Sequence, residues 1–215
     1  MATLLPNKLP LLSAAFLFGN TWAQTLQLPD PAEPITITAN SSVLDHRQNT
    51  VLYSKVRIAQ GDVSVEAQQA SATGKEFENS QWTFTGDVRI RLPNGAIDAD
   101  SAVVTFDSGQ LAHARMVGSP AHFEQHRTDP EQLAKGHAGV IEYDITHSTV
   151  RLSEKAWLSD GTNEISSETL VYDMRGERVL ANPEGKAQGG VNITFRPRTN
   201  GGTPLPVAPK SEKAE

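Results

Sequence analysis

Between residues 136 and 173 the chain repeats one arrangement, in which apolar and polar residues alternate in short runs. Thr149-Val150-Arg151-Leu152 leads to Ala156-Trp157-Leu158, then Asn163-Glu164-Ile165-Ser166, then Thr169-Leu170-Val171-Tyr172-Asp173. Successive Cβ atoms of an extended chain point to opposite faces, so alternation at period two belongs to half-buried strands and not to helices. Val150 and Leu152 are expected to share one face, and Ala156 and Leu158 another. Turn-forming residues at 144–147, 153–154, 160–161 and 174–176 divide the stretch into pieces of four to eight residues. Short strands at near-regular spacing with turn chemistry between them predict an all-β body.

The same pattern occurs twice more. In residues 43–67, Asp45 stands where Asp144 does, Thr50-Val51 where Thr149-Val150 does, and Lys55-Val56 where Lys155-Ala156 does. Gly61 then matches Gly161, and Val63 and Val65 match Asn163 and Ile165. A middle copy starts at Trp82, turns at Pro93-Asn94-Gly95 and ends in Ala102-Val103-Val104-Thr105-Phe106. Three copies of a hairpin-rich unit imply a stacked or rolled sheet, because no unit can bury its apolar face alone.

The rest of the chain sets limits on this body. Only 6% of residues are aromatic within a hydrophobic content of 38%, which suits a sheet lined by Val, Ile, Leu and Ala. No cysteine is present, so disulfides and zinc-thiolate sites are excluded. A net charge of −6 opposes nonspecific nucleic-acid binding, which needs a basic surface. Lys8, the apolar run 9–18 and Thr21-Trp22-Ala23 predict a cleavable signal peptide over residues 1–23, hence export. An uncleaved membrane anchor is the competing reading; Pro10, Asn20, Thr21 and Gln24 interrupt the roughly 20 apolar residues it needs. A Pro-rich lead-in, 24–34, precedes a β domain over 35–195, and a polar tail, 196–215, is expected to be disordered. Residues 71–80 and 118–120 read as turns, 126–133 as a loop, and 35–39 and 190–195 as the first and last strands.

Candidate chemistry is sparse. His122, Glu124 and His126 share one face at period two, and a solvated strand face explains them better than a metal site. Asp98 and Asp100 also share a face, whereas catalytic carboxylate pairs come from separate elements. No catalytic residue, metal ligand or cofactor motif is expected. Trp82 and Trp157 fit either core or interface positions.

Taken in order, several pieces resemble the LptA/OstA family of periplasmic proteins in Gram-negative lipopolysaccharide export. They are Pro-Ile-Thr-Ile-Thr-Ala at 34–39, Val-Leu-Asp at 43–45 with Asn-Thr-Val at 49–51, and Val-Arg-Ile-Ala-Gln-Gly at 56–61. Gly-Ser-Pro-Ala-His-Phe-Glu-Gln at 118–125, Gly-His-Ala at 136–138, Tyr143-Asp144 and the strands to Tyr172 complete the likeness. The resemblance implies a twisted, partly open β-jellyroll whose two sheets splay into a V around the acyl chains of lipopolysaccharide. It implies groove-lining roles for Ile35, Ile37, Phe123, Tyr143 and Ile145, with no enzymatic activity. Its implied partners are lipopolysaccharide, further copies of the chain, an inner-membrane LptC-type subunit and an outer-membrane LptD-type translocon. The middle copy, about 78–107, departs from short family members as an additional unit.

Such a role suits the residues. Burial is worth about 0.8 kcal/mol per methylene, so a shallow aliphatic track holds a fatty chain without trapping it. Arg89 and Arg91 are candidates to meet lipid phosphates. An unclosed sheet leaves edges able to add strands, and Thr36, Thr38, Val191 and Ile193 fall on the expected edge strands. The alternatives are a membrane-anchored LptC-like subunit, a structural β module, and a polysaccharide-acting β-solenoid enzyme.

Overall fold

A computed structural model describes residues 33–75, 79–108, 110–126, 133–173, 175–176, 178–185 and 189–196. The signal-peptide and tail assignments, most of the lead-in, and most of the 126–133 loop lie outside these residues.

The described chain forms one antiparallel sheet of twelve strands. They are β1 (Thr36–Thr38), β2 (Ser41–Asp45), β3 (Thr50–Gln60), β4 (Val63–Lys75), β5 (Asn79–Leu92) and β6 (Gly95–Asp107). There follow β7 (Gln110–His126), β8 (Leu133–Asp144), β9 (Thr149–Ser159), β10 (Glu164–Asp173), β11 (Arg178–Ala181) and β12 (Asn192–Thr194). β3 to β10 form an uninterrupted meander, each strand pairing with the next. Each border is a broken strand: β1 and β2 both pair with β3, and β11 and β12 both pair with β10. The path does not close on itself, so the sheet is open.

The strands differ from the short pieces expected. The meander strands run from 10 residues in β10 to 17 in β7. Ser153-Glu154 and Gly118-Ser119-Pro120 are not turns but interior parts of β9 and β7, and residues 71–75 and 79–80 belong to β4 and β5. What the turn chemistry marks is a crease. The ladders shift register between Glu66 and Gln69, Thr85 and Val88, Asp98 and Ser101, and Val117 and Ala121. They shift again between His137 and Val140, and between Ser167 and Thr169. Lys55, Gly86, Asp87, Glu154 and Lys155 take positive φ along this line. Bulges bend a strand and raise its twist, and register shifts at matching positions in every ladder from β4 to β10, with the extra residues in β5, β7 and β9, fold the sheet over itself. The expected V of two sheets is therefore one creased sheet.

Side chains on the crease explain how close the halves come. Val56 pairs with Ala67, Val88 with Ala99, Ala121 with Ala138, and Ala156 with Ser167. Ala121 and Ala138 are 0% exposed and Ala156 is 1%. On one side of the crease runs Tyr53–Ala70–Phe84–Ala102–Met116–Ile141–Leu152–Leu170, neighbour to neighbour across the ladders. Both halves contribute to one hydrophobic cluster. Val150, Leu152, Ala156 and Leu158 consequently all face inward, on the same side of the sheet and not on different ones.

The repeat recognised in the sequence is a backbone repeat. Lys55 and Lys155 are both left-handed (φ 46° and 62°), as are Gly61 and Gly161 (54° and 88°) and Asn49 and Ser148 (49° and 55°). Asp45 Oδ1 accepts the Arg47 and Gln48 N–H groups, and Asp144 Oδ1 accepts the His147 N–H, so each aspartate closes its hairpin as an Asx turn. The backbone N–H of His147, then its ring, hold the Asp144 carboxyl below its ordinary range. The middle copy forms β5 and β6, an in-line hairpin that continues every row of the sheet.

Because the alanine line has no spare volume, Ala138→Leu should cost about 1–3 kcal/mol. Lys135→Leu, exposed on the same strand, should stay within about 0.5 kcal/mol. Urea unfolding of the two variants beside the parent checks this.

Candidate functional site

The two rows farther from the crease are less covered than the rows flanking it. On one half, Ile58, Val65, Ile90, Ile97 and Phe123 are consecutive ladder partners and all are half-buried. Ile37 of β1 continues the row at one border; Gly136, Leu158, Ile165 and Ile193 continue it to the other. On the facing half runs Leu44–Val51–Ala72–Trp82–Val104–Ala114–Tyr143–Val150–Tyr172–Val179. The buried rows make the floor of a trough and these outer rows its walls. At a strand spacing of about 4.8 Å, ten ladder positions give a trough roughly 40 Å long.

Its walls are unlike each other. Trp82 of one wall joins Tyr53 and Phe84 of the floor beside it in a ring stack on β3 and β5, with centroids 6.1 and 6.2 Å apart. Trp82 is 4% exposed and so is a core residue. The opposite wall is aliphatic as far as Phe123. There the ring lies across Gly136, where an added Cβ would stand 2.1 Å from Phe123 Cε1. Glycine at 136 is what lets that ring lie down on the sheet.

The residues expected to line a groove fall in different places. Ile37 and Phe123 share the aliphatic wall, and Ile145 packs against the core just beyond β8. Tyr143 belongs to the facing half and is only 7% exposed; burial raises its hydroxyl pKa. Ile35 precedes β1 and is 38% exposed. Val65, Ile90 and Ile97 occupy the middle of the same wall. Their alternation was visible in the sequence, but which strands lie opposite one another was not.

Polar candidates lie outside. Asp98 and Asp100 are exposed; Arg91 Nη1 binds Asp98 Oδ1 at 3.0 Å, and the Ser119 hydroxyl donates to Asp100 Oδ2 at 3.1 Å. Arg91 thus has a carboxylate partner, and Arg89 sits between Glu66 and Asp98 in the ladders. His122, Glu124 and His126 are exposed on β7, and no group of three or more metal-ligating side chains occurs among the described residues. His122 instead neighbours His137, which stacks on the half-buried Trp157. Burial, and secondarily His122, lower the His137 pKa.

At the borders, Thr36 and Thr38 are exposed on β1, Ile193 lies on β12, and Val191 immediately precedes it. Val43, Leu44, Leu180 and Ile193 are 60%, 56%, 42% and 39% exposed, so apolar surface continues to both edges.

A creased, open antiparallel sheet with an apolar trough across all its ladders defines the class: a β-sheet protein built around a linear hydrophobic track. The chain belongs to the LptA/(LptD N-terminal domain) LPS transport protein family, whose model matches residues 69–178. It is 30% identical over 197 residues to the lipopolysaccharide export system protein LptH of Pseudomonas aeruginosa, covering 89% of this chain and 91% of LptH. It is 26% identical over 121 residues to the lipopolysaccharide export system protein LptA of Escherichia coli K12, covering 55% of this chain and 63% of LptA. The crystal structure of Pseudomonas LptH, described as a periplasmic component of the lipopolysaccharide transport device, aligns with a TM-score of 0.48 at 20% identity, over 79% of this chain and all (100%) of that one.

The absence of cysteine makes any introduced thiol unique. A thiol at Ile97→Cys should react with a maleimide in the native protein. One at Ala121→Cys, 0% exposed at the crease, should react only after unfolding. Equal protection at both positions, followed by mass spectrometry, would mean a sealed interior.

Proposed function

We propose that the chain carries lipopolysaccharide through the periplasm, holding the acyl chains in the trough. The observation that supports this most directly is the half-buried aliphatic wall from Ile37 through Ile97 to Phe123. Each methylene sheltered there gains about 0.8 kcal/mol. Only one side of a guest chain is covered, so the gain remains small enough for release. Ile37, Phe123 and Ile145 meet the lipid, with Tyr143 a buried part of the facing wall. The phosphates and sugars remain in solvent, in keeping with the net charge of −6 and with Arg91 already paired. Nothing in this function calls for a catalytic group or a cofactor.

A photoreactive residue replacing Ile97 or Phe123 should crosslink to lipopolysaccharide in cells. The same residue at Arg89, on the opposite face of β5, should not. Equal labelling at all three positions, or none at Ile97 and Phe123, would refute the proposal.

Transfer over a longer distance follows from adding strands at the borders. β11 and β12 run antiparallel to β1 and β2, so a second copy in the same orientation continues the antiparallel alternation. Alignment of the two creases then fixes the register: Val179 opposite Leu44, Leu180 opposite Val43, and Ile193 opposite Ile37 of the next copy. Thr36, Thr38 and Val191 flank these contacts. LptC-type and LptD-type partners would dock on the same two borders. Directly opposed residues of an antiparallel pair have Cβ atoms about 4.5–5.5 Å apart. Mixing Val43→Cys with Leu180→Cys protein should therefore give disulfide-linked heterodimers under mild oxidation, and neither variant alone should link efficiently. Val43–Val43 links forming as readily would show a symmetric pairing in place of this one.

A further inference from the structure

The outer face of β7 and β8 carries a feature that the trough does not use. Side chains alternate across a strand, so the segment that turns Phe123 and Gly136 inward turns His122 and His137 outward. These two are direct ladder partners, and their ring centroids are 5.7 Å apart with planes inclined at 53°. His137 is half-buried and stacked on Trp157, its own partner on β9, at 5.1 Å and 18°. Stacking covers a face of the His137 ring, and the residue is only half-buried. His122 is exposed. Asp98, the ladder partner of His122 on β6, is exposed and already ion-paired with Arg91, so the two rings are the only ligands the proposal uses.

We propose that His122 and His137 form a two-imidazole site for a divalent late transition-metal ion, with Cu²⁺ the best match. Imidazole–metal bonds of about 2.0–2.1 Å place two ligating rings roughly 5–6 Å apart, close to the separation already present. Copper heads the affinity order of the divalent ions for nitrogen ligands. With no third ligating side chain grouped with the pair among the described residues, water fills the remaining positions. The ion is therefore exchangeable and not structural. One imidazole is preset by Trp157, which lowers the ordering cost of capture. The site stands on the opposite face from the trough and does not depend on the lipid reading.

Cu²⁺ titration of the untagged chain, read by electron paramagnetic resonance, tests the proposal. The parent should bind one exchangeable ion with hyperfine structure from two imidazole nitrogens. His122→Gln and His137→Gln should each lower the affinity at least about tenfold and leave one nitrogen. His126→Gln and His147→Gln should change neither quantity. Circular dichroism confirms that the variants fold, as expected for substitutions on an outer face. A Cu²⁺ signal untouched by His122→Gln or His137→Gln, or lost with His126→Gln or His147→Gln, overturns the assignment.

Discussion

Close approach of the two sheet halves along the alanine line is the constraint on which the rest of the fold depends. Stacked β-sheets ordinarily stand about 10 Å apart, and a single sheet bent onto itself must come nearer than that at the bend. Ala121, Ala138 and Ala156, all essentially unexposed, supply the room. Left-handed residues at 55, 86, 87, 154 and 155 supply the backbone freedom in the strands they border. Together these let the meander fold without being cut into two sheets. From that bend follow the buried floor beside it and the less covered walls farther out.

Openness is the second consequence. A sheet of this size that closed into a barrel would remove its edges and seal its inner rows. Here the borders are broken strands, β1 with β2 and β11 with β12, each too short to cover the full width of its neighbour. Unpaired backbone groups at such borders are ordinarily a hazard. Under the proposed copy-to-copy extension they become attachment points. The apolar rows run out to Leu44, Val179, Ile37 and Ile193, as that proposed extension requires.

Much of this was legible in the residues. Period-two alternation identifies strands, and the correspondence of Lys55 with Lys155 and Gly61 with Gly161 picks out positions that share backbone conformation. Turn chemistry misled at Ser153-Glu154 and Gly118–Pro120, because a bulge and a turn both need residues tolerant of unusual backbone geometry. Pairing across the ladder is what separates them. The wall of the trough was only half legible for a related reason. Ile37 and Phe123 came from likeness to a family, while Ile97 and Ile90 joined them only once β1 and β3 to β7 were in register.

The sequence alone determined the kind of element, the repeat, the aliphatic character of the inner face and the absence of thiol chemistry, since these depend on local stereochemistry and composition. Tertiary structure decided which alternating residues form the sealed floor and which the accessible wall, because burial depends on distance from a crease that no single strand reveals. It also decided that His137, and not Glu124 or His126, stands beside His122, because that neighbour arrives through the ladder and not along the chain.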